Sequence, residues 1–207
     1  MFGRKKEWGF SLLELLVVLT IGATLAAIAV PSFQGSIKRN GIKTHIHDLS
    51  ATLKLARSEA VERGEAVAIC GSSDLTSCNN SFNWSAGWIA FVDDGSGTGG
   101  SAGDNNRNGS EEIVKSYRYT GNNSLIVKDA GGNGLNAVSF NSRGFVLQNI
   151  AATLRVCEDS GDTGYARALL LEKTGRVVVS YDLHDSGGNN GADGIYEDVN
   201  GNNLTCT

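Results

Sequence analysis

The chain has 207 residues, a formal net charge of −4 at pH 7, and 27 glycines against a single proline. The acidic balance excludes a generally cationic nucleic-acid binder, since neutralising a phosphate backbone needs clustered Lys and Arg. The length is most economically one domain with an appendage, and the glycine content favours a β domain with glycine-rich loops over a helical bundle.

A short basic segment precedes a long apolar run. Residues 1–9 read MFGRKKEWG, and residues 10–30 form an apolar stretch long enough to span a bilayer as a helix. The three basic residues favour the cytoplasmic side for the N-terminus. A secretory signal normally has a shorter apolar region followed by a small-residue cleavage site, which the alanines of this run imitate.

Glu14 is the one charged residue of the apolar run. A carboxylate near the bilayer centre costs roughly 2.5–3.5 kcal/mol or more and is normally kept for a partner. The position close to the cytoplasmic edge lowers this cost without explaining the acid. Glu14 therefore argues against a secretory signal and predicts an interaction.

The string GFSLLEL, which begins at Gly9, closely resembles the class III signal of type IV pilins and type II secretion pseudopilins. The resemblance implies cleavage by prepilin peptidase between Gly9 and Phe10 and methylation of the new Phe10 amine. It also implies that Glu14 pairs with the N-terminal amine of a neighbouring subunit as a filament assembles. The leader departs slightly from the family pattern in carrying Glu7 and Trp8 before the cut.

The apolar run predicts a helix that continues beyond it, from about Phe10 to about Arg63. Pro31 predicts a kink and not a stop, because its ring removes one backbone bond. A stripe of apolar residues recurs at spacings of three and four: Ile42, Ile46, Leu49, Leu53, Ala56 and Ala60. The residues between them, including Lys54 and Arg57, predict a solvated face. Gly64 stands where a helix commonly ends in a left-handed residue.

After Gly64 the apolar period changes to that of short strands between Gly, Asn, Asp and Ser clusters. The predicted strands are 66–70, 88–92, 112–119, 124–128, 137–140, 144–147, 152–157, 165–173 and 176–181. NSRG at 141–144 and EKTG at 172–175 predict hairpin turns. The fold class is therefore α+β and type IV pilin-like, with a long N-terminal helix packed on an antiparallel sheet.

This organisation predicts three segments. Residues 1–9 are the leader, and residues 10–35 are the transmembrane or filament-core half of the helix. Residues 36–207 form the globular head, which contains the rest of the helix and a β-rich part beginning at residue 64.

The four cysteines are Cys70, Cys78, Cys157 and Cys206. They form no C-x-x-C pair with zinc or redox spacing, so two disulfides in an oxidising compartment are the better interpretation. Three connectivities are possible, and we choose pairing in chain order as the hypothesis.

A second resemblance narrows the family. The pattern L-x-x-A-R-S-E-A-V-x-R-G at 53–64, then AVAIC, then WSAGWIAFVD at 84–93, is similar to the GspH/FimT family of minor pilins and pseudopilins. The presence of Cys70 and Cys78 resembles the type IV pilus branch of this family more than its secretion branch. The family implies a low-copy subunit near the filament tip that helps to initiate assembly.

The resulting hypothesis is a minor type IV pilin in the bacterial inner membrane, with one membrane pass and a periplasmic head, that lies at the filament tip after assembly. Its expected partners are other minor and major pilins, the inner-membrane assembly platform, and prepilin peptidase as processing enzyme. The alternatives are a GspH-type secretion pseudopilin and a DNA-binding minor pilin for DNA uptake.

No catalytic arrangement is visible, so we expect no enzyme. His45 and His47 fall two apart on the helix and face different sides, and all three histidines, with His184, are interpreted as solvated. No G-x-S-x-G motif frames a serine. Trp84, Trp88 and Phe91 suit either core packing or an exposed binding face, and core packing is preferred.

The stretch DNNRNGSEE, which begins at Asp104, starts like a calcium loop. Its expected ligands are Asp104, Asn106, Asn108 and Glu112. The twelfth position is Lys115 and not Glu, so only Glu111 or Glu112 closes the shell. The alternative is a solvated Asn/Gly turn. A second acidic loop, 193–203, is a weaker candidate, and no other cofactor is expected.

Some FimT-like minor pilins bind DNA through a G-R-x-R motif, to which Gly175-Arg176-Val177-Val178 corresponds without the second arginine. Arg176 with Arg167 or Arg143 is the candidate patch. Loss of the leader removes three cations and one acid and takes the formal charge from −4 to −6, which disfavours DNA. Arg176 is otherwise a surface residue at a strand edge.

Overall fold

The computed structural model describes residues 11–97, 100–182 and 195–206. Two compact units divide the chain, Met1–Arg39 and Asn40–Thr207. This boundary lies four residues beyond the predicted division at 35/36. Helix α1, Leu12–Arg63, runs without interruption through Pro31 and belongs to both units.

Both ends of α1 are set by local chemistry. The hydroxyl oxygen of Ser11 accepts a hydrogen bond of 3.2 Å from the Leu13 N–H, which satisfies one of the free donors of the first turn. At the other end, Gly64 has φ +73° and its N–H donates to the Ala60 carbonyl at 3.1 Å. The predicted glycine stop is confirmed, whereas the predicted start at Phe10 lies outside the described residues.

The second unit buries one side of α1. All six residues of the predicted stripe are at most 4% exposed and belong to the main core: Ile42, Ile46, Leu49, Leu53, Ala56 and Ala60. Burial of each Ile or Leu side chain of the stripe contributes about 1.5–3 kcal/mol. The stripe therefore fixes which face of the helix meets the sheets.

Eight described strands form two antiparallel sheets, where the sequence predicted one. Their bounds are β1 Val67–Gly71, β2 Gly87–Val92, β3 Ile113–Arg118, β4 Ser124–Asp129, β5 Ala137–Phe140, β6 Ala152–Cys157, β7 Arg167–Leu171 and β8 Val177–Val179. The first sheet has the order β3-β2-β1-β5 and the second the order β4-β6-β7-β8. The predicted α+β class, with a long N-terminal helix and antiparallel strands, is confirmed.

The predicted strand at 144–147 is wrong. Val146 makes only an isolated bridge to Phe140. The Leu147 N–H donates to the Ser139 carbonyl at 2.8 Å, but the Val146 N–H donates to the Lys173 carbonyl at 3.0 Å. Ser139 lies in the first sheet and Lys173 in a turn of the second, so this segment joins two sheets and extends neither.

Both predicted turns are present. The Gly144 N–H donates to the Asn141 carbonyl at 2.8 Å, and the Gly175 N–H donates to the Glu172 carbonyl at 2.9 Å. The second turn connects β7 to β8 as a hairpin.

Two disulfides join Cys70 to Cys78 and Cys157 to Cys206, with Cα atoms 5.6 and 5.8 Å apart. This is the pairing in chain order. The second bond lies in a small cluster where the C-terminal segment, through Leu204, packs on Ala166 and Ala168. Residues 195–206 are thereby held on the outer face of the second sheet.

Candidate assembly interface

The first unit presents an uncovered apolar helix. Every described side chain from residue 11 to residue 29 is exposed, and the large apolar ones from Leu12 to Ile28 are 48–78% exposed. The helix is long and apolar enough to cross a membrane by length and composition. An apolar surface of this extent needs lipid or other protein to cover it.

Glu14 lies in the first turn of this helix and is exposed. Its sequence neighbours Leu13 and Leu15 are 70% and 57% exposed, so the carboxylate stands among uncovered apolar side chains. An acid at this position is favoured by the helix dipole and suits a cationic partner. Gly9 and Phe10 lie outside the described residues, and their processing stays a prediction.

Two hydroxyls in the same segment are satisfied internally. Thr20 donates to the Val17 carbonyl and Thr24 to the Ile21 carbonyl, each at 2.8 Å. Helical threonines that bond the preceding turn place no unpaired donor in apolar surroundings. Threonine at positions 20 and 24 is therefore compatible with lipid or a filament core.

An aromatic cluster lies between α1 and the first sheet. His45 is fully buried and stacks on Tyr119 and, at 5.4 Å, on Trp88, which stacks in turn on Tyr117 at 4.3 Å. The Trp88 indole N–H donates to the Thr52 hydroxyl at 3.1 Å. The interpretation of His45 as solvated is wrong, because its position on α1 faces these rings. His47 is exposed as predicted, and His184 lies outside the described residues.

The three aromatic residues with two possible roles are all in the core. Trp84, Trp88 and Phe91 are fully buried, and the Trp84 indole N–H donates to the Ser81 carbonyl at 3.1 Å. The preference for core packing is confirmed, and none of the three is available as an exposed binding face.

Arg57 connects α1 to two distant turns. Its Nε donates to the Gly144 carbonyl at 2.9 Å, and its Nη2 donates to the Thr174 carbonyl at 3.1 Å. These turns come so close that a Cβ on Gly175 would lie 2.0 Å from the Gly144 carbonyl oxygen. Arg57 is therefore a partly buried clamp, and its assignment to a solvated face is wrong.

The acidic loop at 104–112 is closed by two buried carboxylates: Asp93, which the sequence pattern did not single out, and Glu111, which it offered only as an alternative to Glu112. Buried Asp93 accepts from the Gly103 and Asn105 N–H groups, and buried Glu111 accepts from those of Gly95 and Asn108. Burial raises the pKa of both carboxyl groups above their ordinary values. The loop thus satisfies its inward carboxylates with its own main chain.

The expected calcium ligands form hydrogen bonds with different partners in this structure. Asn108 Nδ2 donates to Asp104 at 3.0 Å, whereas Glu112 accepts two hydrogen bonds from Arg63, at 2.8 and 3.1 Å. Asn106 contributes its carbonyl to Asn108. No group of three or more His, Cys, Asp or Glu that suits a metal ion occurs within the described ranges. Calcium binding stays a prediction, and Glu112 belongs to an ion pair.

Two family models match the chain. The model described as "Type II transport protein GspH" matches residues 45–175, which is more than half of the sequence. The chain belongs to this family. The model of the prokaryotic N-terminal methylation motif matches residues 4–30, which include the three basic residues of the leader and the apolar run of this GspH-family protein.

Relatives and solved structures agree with this assignment. Two proteins of Pseudomonas aeruginosa named "Fimbrial protein" are each 31% identical over 110 residues, which are 53% of this chain and 68% of each relative. The crystal structure of the P. aeruginosa type IV minor pilin FimU aligns with a TM-score of 0.51 and 21% identity, over 69% of this chain and 90% of that one. The latter likeness shows the fold.

The GspH-family chain is accordingly a pilin or pseudopilin of the type IV pilus or type II secretion kind, with a structural role and no enzymatic one. Its apolar N-terminal helix, which is long enough to cross a membrane, and the methylation-motif match fit a membrane-anchored subunit of this kind.

The three arginines of the DNA prediction occupy different places in this GspH-family head. Arg143 and Arg176 stand on the two neighbouring turns that Arg57 connects, and Arg176 lies 3.7 Å from Glu172. Arg167 lies at the opposite end of β7, roughly 15 Å away at the rise of a strand, and packs over the Tyr196 ring at 3.7 Å. Arg167 is not brought together with the other two, and DNA binding stays a prediction.

Proposed function

We propose that this chain is a minor type IV pilin that takes part in the initiation or tip complex of a filament. Prepilin peptidase cleaves it after Gly9, the apolar helix anchors it in the inner membrane with a periplasmic head, and it then assembles with other minor and major pilins. The observation that supports this best is Glu14, the one charged residue between 10 and 30, exposed on an uncovered apolar helix.

The chemistry of Glu14 fits a charge contact with a neighbour. Cleavage creates a cationic amine on Phe10, so the processed chain carries both this amine and an acid four residues later. A carboxylate and an ammonium that leave water together attract each other strongly in an apolar medium, and either alone is penalised. The pair therefore favours subunits that pack side by side.

The first experiment tests Glu14. Glu14→Ala and Glu14→Gln are produced in the native bacterium, and the fraction of the chain in sheared filaments is compared with the fraction in membranes. Both variants are expected to be processed and membrane-bound but poorly incorporated. Glu14→Asp keeps the charge and is expected to recover part of the incorporation. Normal incorporation of Glu14→Gln would overturn the role of the charge.

A second experiment tests processing. The mass of the chain is measured in cells with and without prepilin peptidase. The expected result is loss of residues 1–9 and methylation of Phe10 only where the peptidase is present. An unchanged N-terminus in both strains would contradict the proposal.

The specific alternative is a minor pseudopilin of a type II secretion machine, because the matching family model is described as a type II transport protein. Deletion of the gene separates the two functions. Loss of surface filaments with normal secretion of exported enzymes supports the pilus, and the reverse result supports the secretion machine.

A further inference from the structure

The strand β8 ends the second sheet in the described part of the chain. Its pairing with β7 is fixed by the Glu172 N–H, which donates to the Arg176 carbonyl at 2.9 Å, and by the Ser180 N–H, which donates to the Ala168 carbonyl at 2.8 Å. Hydrogen-bonded and non-hydrogen-bonded residues alternate in an antiparallel pair. The N–H and C=O groups of Val177 and Val179 therefore point away from β7.

The side chains of the same two valines are also incompletely covered. Val177 and Val179 are opposite Leu171 and Leu169, which are fully buried, so they continue the core-facing rows to the sheet edge. Val179 is nevertheless 47% exposed and Val177 is half-buried. Apolar side chains and main-chain donors and acceptors thus meet along one edge.

A groove of about 530 Å³ runs beside this edge. Its α1 wall includes Ser58 and Val61, and its other wall includes Gly175 and Val177. Val61 is 53% exposed. Each wall of the groove therefore includes an apolar side chain, Val61 on α1 and Val177 on β8.

The rim of the groove is cationic in a chain that is acidic overall. Lys54, Arg57 and Arg176 line it, against one carboxylate, Glu62. The Arg176 side chain is 69% exposed, and its pairing with Glu172 at 3.7 Å is long and screened by solvent. Its guanidinium remains available to a second carboxylate.

We propose that this edge and groove receive an extended, carboxylate-bearing segment of a neighbouring pilin subunit, which pairs with β8 as an added strand. Main-chain bonds to Val177 and Val179 supply affinity, the valines receive alternate side chains, and the cationic rim selects acidic residues. Nucleic acid fits less well, because apolar valines and Glu62 have no counterpart on a phosphate backbone. The inference rests on the proposed function, since that function supplies the neighbour.

The test places a photo-cross-linking amino acid at Ser58 of the full chain in the native bacterium, with the same group at exposed Asn122 as the control position. Val179→Pro removes an outward N–H and leaves the β7 ladder intact, which is the tolerated place for proline in a sheet. Val179→Ala is its matched control, since it shortens the side chain and keeps the N–H.

The expected result is an adduct from position 58, absent from position 122, whose mass identifies another pilin subunit. Val179→Pro lowers its yield about tenfold, the effect of one or two net hydrogen bonds, and Val179→Ala lowers it much less. Arg176→Glu also lowers it, and Arg176→Gln lowers it less. If the melting temperature shows that Val179→Pro unfolds the head, the arginine pair decides.

Four results overturn the inference: no adduct from position 58, equal yields for Val179→Pro and Val179→Ala in folded protein, an adduct only with the chain's own residues, or an adduct only with DNA. The proposed function is scored separately by processing and by incorporation into filaments. Normal processing and incorporation without the adduct would reject this docking site and leave the minor pilin assignment in place.

Discussion

The imidazole of His45 lies almost flat against the ring of Tyr119, with centroids 4.0 Å apart and ring planes 10° apart. Neither ring nitrogen of His45 has a hydrogen-bond partner within the described part of the chain. Burial lowers the pKa of His45 from 6.5 to about 4, although the nearby Asp48 carboxylate acts in the opposite direction. The folded head therefore contains a neutral imidazole at neutral pH.

This lowered pKa predicts acid sensitivity. Between pH 6.5 and about 4 the unfolded chain binds a proton at His45 that the folded chain does not. As far as His45 is concerned, the free energy of unfolding should be constant above pH 6.5 and should fall as the pH decreases from 6.5 to about 4, by about 3 kcal/mol in total. Urea unfolding of the full chain in detergent at several pH values measures it.

His45→Phe is the control for this pH dependence, because it keeps a stacking ring without a titrating group. The raised pKa values of Asp93 and Glu111 act with the opposite sign, favouring the fold at low pH, and they contribute equally to both proteins. The difference between the two curves isolates His45. Parallel curves would mean that His45 is not protonated preferentially on unfolding.

Arg57→Ala should destabilise the head by about 2–4 kcal/mol, because it leaves the Gly144 and Thr174 carbonyls without their charged donor. Arg57→Lys should recover only part, since an ammonium lacks the planar fork that reaches two acceptors. The control is Lys54→Ala, an exposed position on the same helix, expected within about 0.5 kcal/mol of the parent. Equal unfolding free energies for Arg57→Ala and Lys54→Ala would contradict the clamp.

Gly175→Ala should disrupt the contact between the two turns. Gly175 has φ +77°, and an added Cβ would lie 2.0 Å from the Gly144 carbonyl oxygen, so backbone must move. Gly132→Ala is the matched control variant, because Gly132 has φ +84° and nothing lies within 4 Å of the added Cβ. This control should lower the free energy of unfolding by about 1–2 kcal/mol, from backbone strain alone. A Gly175→Ala protein no less stable than Gly132→Ala would refute the close approach.

The two disulfides should contribute unequally. Cys157–Cys206 closes a separation of 49 residues and Cys70–Cys78 one of 8. Loop entropy alone predicts about 4 kcal/mol for the former and about 2.5 for the latter. Double Ser variants at each pair, compared by unfolding free energy, measure the difference. The loss of the longer bond should also release the C-terminal segment to proteolysis; equal stability of the two variants would argue against the entropic account.

The spacing of apolar residues and the position of glycine predicted the local features of the helix. The stripe from Ile42 to Ala60 identified the buried face, and Gly64 identified the helix end. His45 was missed although the signal existed, because it follows Ile42 by three positions and precedes Leu49 by four, which places it on the same face. His45 was predicted to be solvated because its side chain is polar, although its position in the stripe indicated burial.

Contacts between distant segments were not predictable in the same way. The acceptors of Arg57 are 87 and 117 residues away in sequence. The segment 144–147 forms hydrogen bonds to both sheets, and no local sequence pattern indicates these partners. In the assembly interface, the sequence alone indicated a role for Glu14, because an acidic residue is unusual in an apolar run. The outward groups of Val177 and Val179 depend on the pairing register with β7, which only the structure gives.

Arg57 holds its two turns by carbonyl oxygens of the main chain and, within the described part of the chain, does not hydrogen-bond to the side chains that those turns display. The glycines are constrained by geometry, whereas Ser142, Arg143 and Lys173 are left to vary. A lineage can thus change the chemistry displayed at this end of the head without loss of the scaffold beneath it. New partner preferences can arise there through single substitutions.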